Sequence, residues 1–217
     1  VTERAPSITG YELIDGEEEK TITIDIENNE IVFTYKKLEN LSYTVKYLEQ
    51  ETNIELAEEK IVENNVYQSV ITEDAISIEG YDKVNPISQD LTIDVTDNEI
   101  IFYYTKRKDI NYKVEYYYNG VIDEEQTEIV ENQTFGDIII NYTDKVKKGY
   151  KLENNTAPIT LGVDNNVIKV YYVTDENQTK ELSYTVEYYK DGILVDLDTQ
   201  IVTKIVQVLE PDILEVN

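Results

Sequence analysis

The chain has 217 residues, of which 19 are basic and 45 acidic, for a formal net charge of −26. A surface this acidic argues against binding to nucleic acid and against direct contact with an anionic membrane, because both attract basic surfaces. Cys and His are absent, which excludes disulfides and thiolate metal sites and removes the commonest general base.

The composition indicates a folded chain. Hydrophobic residues make up 41% and Tyr occurs 19 times, whereas disordered acidic segments lack apolar and aromatic residues. No apolar run approaches the roughly 20 residues of a membrane helix, so we expect any membrane or wall anchor outside this segment. The sequence begins at Val1 and contains no Met, and we interpret it as a mature or excised piece of something longer.

Three patterns recur along the chain at nearly constant spacing. A Tyr-x-Val-x-Tyr pattern begins at Tyr43, Tyr112 and Tyr184, and a Gly-Tyr pair occurs at Gly10, Gly80 and Gly149. A segment alternating around an Asn or Asp pair begins at Thr21, Leu91 and Ile159. Self-similarity at a fixed period indicates a repeat protein.

The order of the patterns divides the chain into repeats. Residues 39–108 form a first complete repeat and residues 109–180 a second. Residues 1–38 are the C-terminal half of a repeat, named here the back half. Residues 181–217 are the N-terminal half of a repeat, named the front half.

Taken in chain order, the back half supplies the closing element of a repeat. Ile22, Ile24 and Ile26 alternate before Asn28-Asn29, and alternation resumes afterwards. This pattern predicts a β-hairpin, because Asn and Asp tolerate the positive φ of tight turns. The same hairpin is expected around Asp97-Asn98 and Asn165-Asn166. Lys169 is aligned with Phe33 and Phe102, which predicts a changed register or an exposed edge there.

The complete repeats supply the remaining elements. Alternation in Tyr-x-Val-x-Tyr predicts a strand with these three residues on the core face. A turn at Gly120 or Asp191-Gly192 leads to a second strand, over 127–130 or 199–202. The middle of each repeat, 66–78 or 135–146, predicts a short helix or an irregular crossing. The Gly of each Gly-Tyr pair is expected to bend the backbone before a strand.

These elements predict a β-rich fold, all-β or α+β, built from small modules in tandem. With about 70 residues each, the modules have small cores and marginal stability. Packing between neighbours is expected to help, as in other linear arrays.

The order of these motifs resembles the MucBP (mucin-binding protein) repeat family of Gram-positive surface adhesins. The shared features are the aromatic-x-Val-x-Tyr strand, the Asp/Asn-Gly turn, the Gly-Tyr pair and the final aromatic strand. The resemblance implies β-grasp-like modules in an elongated array on the surface or wall of a Gram-positive bacterium. It implies adhesion to host glycoprotein or mucin glycans. The chain departs from the pattern at its turn over 50–53, which lacks Gly, and in having no Leu-Pro-x-Thr-Gly anchoring signal.

Outward-facing tyrosines are the candidate binding residues, because aromatic rings stack on sugars. We expect them at Tyr103, Tyr117, Tyr172 and Tyr189. The alternative is that these tyrosines are structural, since Tyr favours strands.

No catalytic residue, cofactor or metal ligand is assigned. Acidic clusters at 17–19, at Asp94 with Asp97, and at 123–125 supply the oxygen ligands that Ca²⁺ prefers. None of them has the spacing of a calcium loop, and a solvated acidic surface accounts for them.

Three functions remain open for this non-enzymatic segment. The first is adhesion to glycans, which at this net charge requires short-range stacking, hydrogen bonds or bridging cations. The second is a stalk that spaces other domains and contacts only neighbouring repeats. The third is head-to-tail self-association, in which the back and front halves complete each other between molecules.

Overall fold

The computed structural model of the protein describes residues 1–213. It is almost entirely β, which confirms the β-rich class. The chain divides into two compact units, Val1–Arg107 and Lys108–Asn217. The first unit contains β1 (Thr2–Arg4), β2 (Tyr11–Leu13), β3 (Glu19–Thr21), β4 (Tyr35–Lys37), β5 (Leu41–Glu49), β6 (Glu55–Asn65), β7 (Val70–Asp74), β8 (Tyr81–Lys83), β9 (Ser88–Thr92) and β10 (Glu99–Lys106).

The second unit repeats this series from a different starting point. It contains β11 (Ile110–Tyr118), β12 (Val121–Ile122), β13 (Glu128–Gln133), β14 (Ile138–Ile139), β15 (Tyr150–Asn155), β16 (Ile159–Thr160), β17 (Val167–Thr174), β18 (Thr179–Val186), β19 (Tyr189–Lys190), β20 (Ile193–Leu194) and β21 (Gln200–Gln207). Across residues 1–213 the only helical element is a 3-10 turn at Asp196–Asp198. The described part of the chain has no helix with the length and apolarity of a membrane span.

The first complete repeat folds around a four-stranded mixed sheet in the order β6-β5-β10-β8. The central strands β5 and β10 are parallel, with Thr44 opposite Glu99. The outer strands β6 and β8 are antiparallel to their neighbours. A separate pair, β7 and β9, contributes Ile71 and Leu91 to the packing against one face of the sheet.

The second complete repeat has the same arrangement. Its central strands β11 and β17 are parallel, with β15 antiparallel to β17. The hairpin strands β12 and β13 both pair with β11, and β14 pairs with β16. The Asn119-Gly120 turn before β12 has positive φ at both residues, 48° and 80°, as a tight two-residue hairpin requires.

In the two complete repeats the Tyr-x-Val-x-Tyr residues lie in the core, as predicted, whereas in the front half Tyr188 is 45% exposed. Tyr43, Val45 and Tyr47 are buried in the first complete repeat. Val114 and Tyr116 are buried at the matching positions of the second, and Tyr112 packs against that core. The Gly-Tyr prediction is also confirmed, because each Gly has a positive φ and precedes a strand that begins at its Tyr.

The predicted closing hairpin is wrong. In the first complete repeat, the residues before the turn continue from β9, which pairs with β7. The residues after the turn form β10, which pairs with β5 and β8 and not with β9. The turn between them moves the chain from one layer of the module to the other. The side chain of Asn98 closes this turn by bonding to both backbone polar groups of Asp94.

The middle of the first complete repeat forms the strand β7 instead of the predicted short helix or irregular crossing, whereas the middle of the second complete repeat is irregular apart from the two-residue strand β14, which agrees with one of the two predicted alternatives. Gln68 and Gly136 precede β7 and β14 with φ values of 62° and 81°, which an α-helix cannot accommodate. Their N–H groups donate to the carbonyls of Ile93 and Leu161, which fixes the extended path.

Lys169 does not occupy the position of Phe102. The registers place Phe102 opposite Tyr47 and Val170 opposite Tyr116, so Val170 is the equivalent of Phe102. Lys169 is opposite Glu115 on the outer face of the sheet. The predicted change of register is therefore wrong.

Each terminal segment forms strand pairs that correspond to half of a repeat. In the back half, β1 pairs with β3 and β2 with β4. In the front half, β18 pairs with β21 and β19 with β20.

Candidate functional site

The four predicted binding tyrosines are distributed over three sheets. Tyr103 on β10 and Tyr117 on β11 are half-buried and alternate with core residues, so they face away from the core. Tyr189 lies on the short hairpin of the front half and is exposed. The structure therefore gives no single sheet that carries all of the predicted residues.

The prediction for Tyr172 is wrong, because this side chain is 1% exposed and lies in the core of the second complete repeat. Its Oη donates a hydrogen bond to Asp144 and accepts one from the N–H of Lys145 at 2.9 Å. Burial, followed by the bond to Asp144, raises the pKa of Tyr172 well above its ordinary value. Aligning Asn166 with Asn98 would have matched Tyr172 to the buried Tyr104.

Tyr171 takes the outward position that was predicted for Tyr172. It is directly opposite Tyr117 across the parallel pair β11–β17, and the two rings stack with centroids 5.0 Å apart at 25°. The first complete repeat has no such pair, because Leu48 is opposite Tyr103 there. The stacked tyrosines are therefore a feature of one repeat and are not common to all of them.

Acidic neighbours hold two of the outward tyrosines in the same way. The Tyr117 hydroxyl donates to Glu115 at 2.8 Å and the Tyr189 hydroxyl donates to Glu187 at 2.9 Å. The bond to Glu115, with a contribution from burial, raises the pKa of Tyr117 to about 12. Both hydroxyls are accordingly protonated and engaged at neutral pH.

The acidic clusters make contacts of their own. Glu19 accepts hydrogen bonds from Arg4, and Asp123 pairs with Lys147. Asp94 accepts the N–H of Val95 at 2.7 Å. Among residues 1–213, no group of three or more acidic side chains is placed to hold a metal ion.

Known proteins do not assign the chain to a family. No protein-family model matches it, and no curated protein matches it. The MucBP resemblance and the four-part division into repeats stay predictions.

A recurring asparagine is the main feature that the sequence reasoning missed. The Asn98 Oδ1 accepts the N–H of Asp94 at 2.7 Å, and its Nδ2 donates to the carbonyls of Asp94 at 2.8 Å and Ser42 at 3.1 Å. Asn166 makes the equivalent bonds to Gly162 and to the Asn111 carbonyl. We name this arrangement the asparagine clamp, and its signal in the sequence is the constant second residue of the Asn/Asp pair.

Two of the Gly-Tyr pairs, at Gly10 and Gly149, contact the segment that follows them within the same unit. A Cβ on Gly10 would lie 2.3 Å from the ring of Tyr67, and the Tyr11 and Tyr67 rings meet edge to face at 5.8 Å. A Cβ on Gly149 would lie 2.7 Å from Leu209, which follows the second strand of the front half. Gly10 and Gly149 are therefore each a docking point for a loop of the following segment in the same unit.

A buried hydroxyl, a carboxylate and an ammonium group meet at the edge of the first core. Tyr43 and Lys60 both donate to Glu73 at 2.6 Å. Burial raises the pKa of Glu73, but the two hydrogen bonds outweigh it and lower the value below the ordinary 4.5. Burial and the bond to Glu73 raise the pKa of Tyr43 to about 12. The carboxylate is therefore held ionised where the core meets solvent.

Proposed function

We propose that the chain is a non-catalytic repeat segment of an extracellular surface protein, and that its modules act as a spacer. The observation that carries this proposal is that the recurring residues make their contacts with other residues of the repeats and do not form an outward-facing surface. In the two complete repeats, Tyr-x-Val-x-Tyr fills the cores and the asparagine clamps close the turns, and Gly10 and Gly149 each receive a loop of the following segment. A ligand site common to the repeats would require recurring residues that point outward.

The strand order supports the proposed relationship to β-grasp repeats. The first and last strands of each complete repeat, β5 with β10 and β11 with β17, are parallel neighbours at the centre of the sheet. The second strand flanks the first, and the strand after Gly-Tyr flanks the last. A β-grasp sheet has this order, and the pair β7–β9 occupies the place of its helix.

Contacts between successive repeats make the spacer proposal testable. In the first unit, the Tyr67 N–H donates to the Leu38 carbonyl at 2.9 Å while its ring packs on Gly10. Nitroxide labels at Glu18→Cys and Glu58→Cys, in a chain without Cys, report the distance across this contact. A narrow distribution is expected, and it should broaden in Tyr67→Ala. A wild-type distribution as broad as that of a flexible linker contradicts the spacer.

Adhesion to glycans is a second candidate, and the stacked pair Tyr117–Tyr171 favours it. Because acidic glycans and a chain of net charge −26 repel each other, binding should strengthen as salt screens the charges. Binding to immobilised mucin is measured across salt, with and without Ca²⁺, for wild type and for Tyr117→Ala. Tyr103→Ala is the matched control, because Tyr103 also faces outward but has Leu48 and not a tyrosine opposite it.

Two outcomes decide between the candidates. Loss of binding in Tyr117→Ala but not in Tyr103→Ala supports adhesion through the pair. An absence of binding under every condition removes adhesion and leaves the spacer.

A further inference from the structure

The second strand of the first complete repeat, β6, has a long outer edge. It is a continuous strand of 11 residues, Glu55–Asn65. In the described part of the chain it pairs with β5 and with no other strand. The edge of a sheet presents a row of N–H and C=O groups, which are a template for pairing with another chain.

The second complete repeat interrupts the same edge. Its equivalents of β6 are two shorter strands, β12 and β13, which both pair with β11. Between them the chain forms turns, in which the N–H groups of Gln126 and Thr127 donate to the carbonyls of Asp123 and Glu124. Interruption of an edge prevents pairing with other chains, so the continuous edge distinguishes the first complete repeat from the second.

The edge of β6 is negatively charged. Four exposed glutamates lie along it, at Glu55, Glu58, Glu59 and Glu63, and a β-bulge places two of them, Glu58 and Glu59, opposite the single residue Lys46. The lysines at this edge have carboxylate partners elsewhere, because Lys60 pairs with Glu73 and Lys46 pairs with Glu99. The edge therefore carries an excess of negative charge.

A cavity of about 870 Å³ lies beside the first half of β6. Its lining includes three apolar and three acidic residues: Leu48, Leu56, Ala57, Glu55, Glu58 and Glu59. A Lys or Arg side chain has an apolar stem and a cationic head, so it matches both parts of this lining. The cavity therefore fits the side chains of a basic strand placed along β6.

We propose that the outer edge of β6 binds an extended, basic segment of a partner protein as a further strand of the sheet. Main-chain hydrogen bonds to β6 hold this segment, as in other cases of strand addition. Its Lys or Arg side chains lie in the cavity and beside the glutamates, where opposite charges on neighbouring strands stabilise the pairing.

A basic partner is favoured over a second copy of this chain. Pairing of β6 with β6 would bring glutamates opposite glutamates, and like charges in that position are destabilising. The net charge of −26 also opposes the approach of two copies and attracts a basic segment. The spacer role does not require this binding, so the two proposals can fail separately.

Titration of the full chain with a capped, fluorescent peptide of alternating Lys and Thr tests the proposal. We expect binding that weakens as salt is added, with increased protection of the β6 amides in hydrogen exchange. The same peptide N-methylated at every residue keeps its charge but loses its N–H donors, and it should bind at least about 10-fold more weakly. This comparison uses the wild-type chain and does not depend on the folding of a variant.

Charge reversal on β6 tests the site within the chain. The double variant Glu58→Lys, Glu59→Lys should bind the peptide at least about 10-fold more weakly than wild type. The matched control is Glu124→Lys, Glu125→Lys, which changes the net charge equally at two exposed residues of the interrupted edge and should bind nearly as wild type does.

Three results would overturn the proposal. The first is an absence of peptide binding at every salt concentration. The second is equal binding of the two peptides or equal weakening in the two double variants, because either shows attraction by net charge alone. The third is protection of the β6 amides by self-association of the chain without peptide, because a second copy would then occupy the edge.

Discussion

The asparagine clamp of the second complete repeat gives the sharpest prediction about stability. Asn166 has 9% of its surface exposed. Its side chain makes hydrogen bonds of 2.8 Å and 3.0 Å to Gly162 and one of 3.1 Å to the Asn111 carbonyl. Asn166→Ala removes all of these bonds and leaves their backbone partners without the side chain that satisfies them. We expect the turn between the two layers of the module to lose its anchor on β11.

The expected cost follows from the number of bonds and their burial. Each hydrogen bond contributes about 1 kcal/mol net, so their loss from a buried position should cost about 3 kcal/mol. A module of this size rarely has more than about 3–5 kcal/mol of stability, so the substitution should nearly unfold it. Asn29→Ala is the matched control: Asn29 makes two clamp bonds at an exposed position, and its loss should cost about 1 kcal/mol.

Hydrogen exchange read by mass spectrometry measures both effects, because it reports opening of each module separately. The amides of β11 and β17 should lose roughly two orders of magnitude of protection in Asn166→Ala. Protection of the first complete repeat should stay unchanged in that variant. If Asn166→Ala reduces protection no more than Asn29→Ala does, the clamp does not stabilise the module and the reasoning is refuted.

Two further predictions concern the contact between repeats and the edge of the first core. Gly10→Ala should destabilise the first unit by about 2 kcal/mol more than Gly16→Ala in denaturant titrations, because both residues have positive φ but only a Cβ at Gly10 would meet the Tyr67 ring. Equal losses would contradict docking at Gly10. Glu73→Gln should cost about 1 kcal/mol at pH 7. The pKa of Glu73 is lowered in the folded state. The difference in stability between wild type and Glu73→Gln should therefore be constant above pH 4.5, the ordinary pKa of a glutamate, and should vanish as the pH falls through the folded-state pKa. A difference from wild type that persists at pH 2 would contradict the ionised contact.

Much of the fold was predictable from the sequence because period-2 alternation marks strands and their buried face. Tyr43, Val45 and Tyr47 were placed in the core on this basis, and the strands after the Gly-Tyr pairs were placed from the backbone bend expected at Gly. The pairing of the strands was not predictable. An Asn pair between alternating segments is compatible with a hairpin and with a turn that joins two layers, and only the contact of Asn98 with Asp94 and Ser42 distinguishes them.

The candidate site was predicted less well, because a shift of one residue exchanges the two faces of a strand. Tyr171 and Tyr172 are adjacent and identical, so composition cannot tell which one faces outward. Their placement depends on counting from Asn166, which the sequence shows as a recurring residue but whose role as an anchor is revealed only by its hydrogen bonds to Gly162 and Asn111. The stacking of Tyr117 on Tyr171 depends in turn on the parallel pairing of β11 with β17.

The parallel pairing of β5 with β10 has a mechanical consequence. Because the two strands run in the same direction, the chain enters the module at the start of β5 and leaves it past the end of β10, at opposite ends of the shared ladder. Tension applied along the chain therefore pulls the two strands past each other in shear. The hydrogen bonds from Thr44–Glu99 to Glu49–Tyr104 then carry the load together, whereas a hairpin pulled open from its end would lose its bonds one at a time.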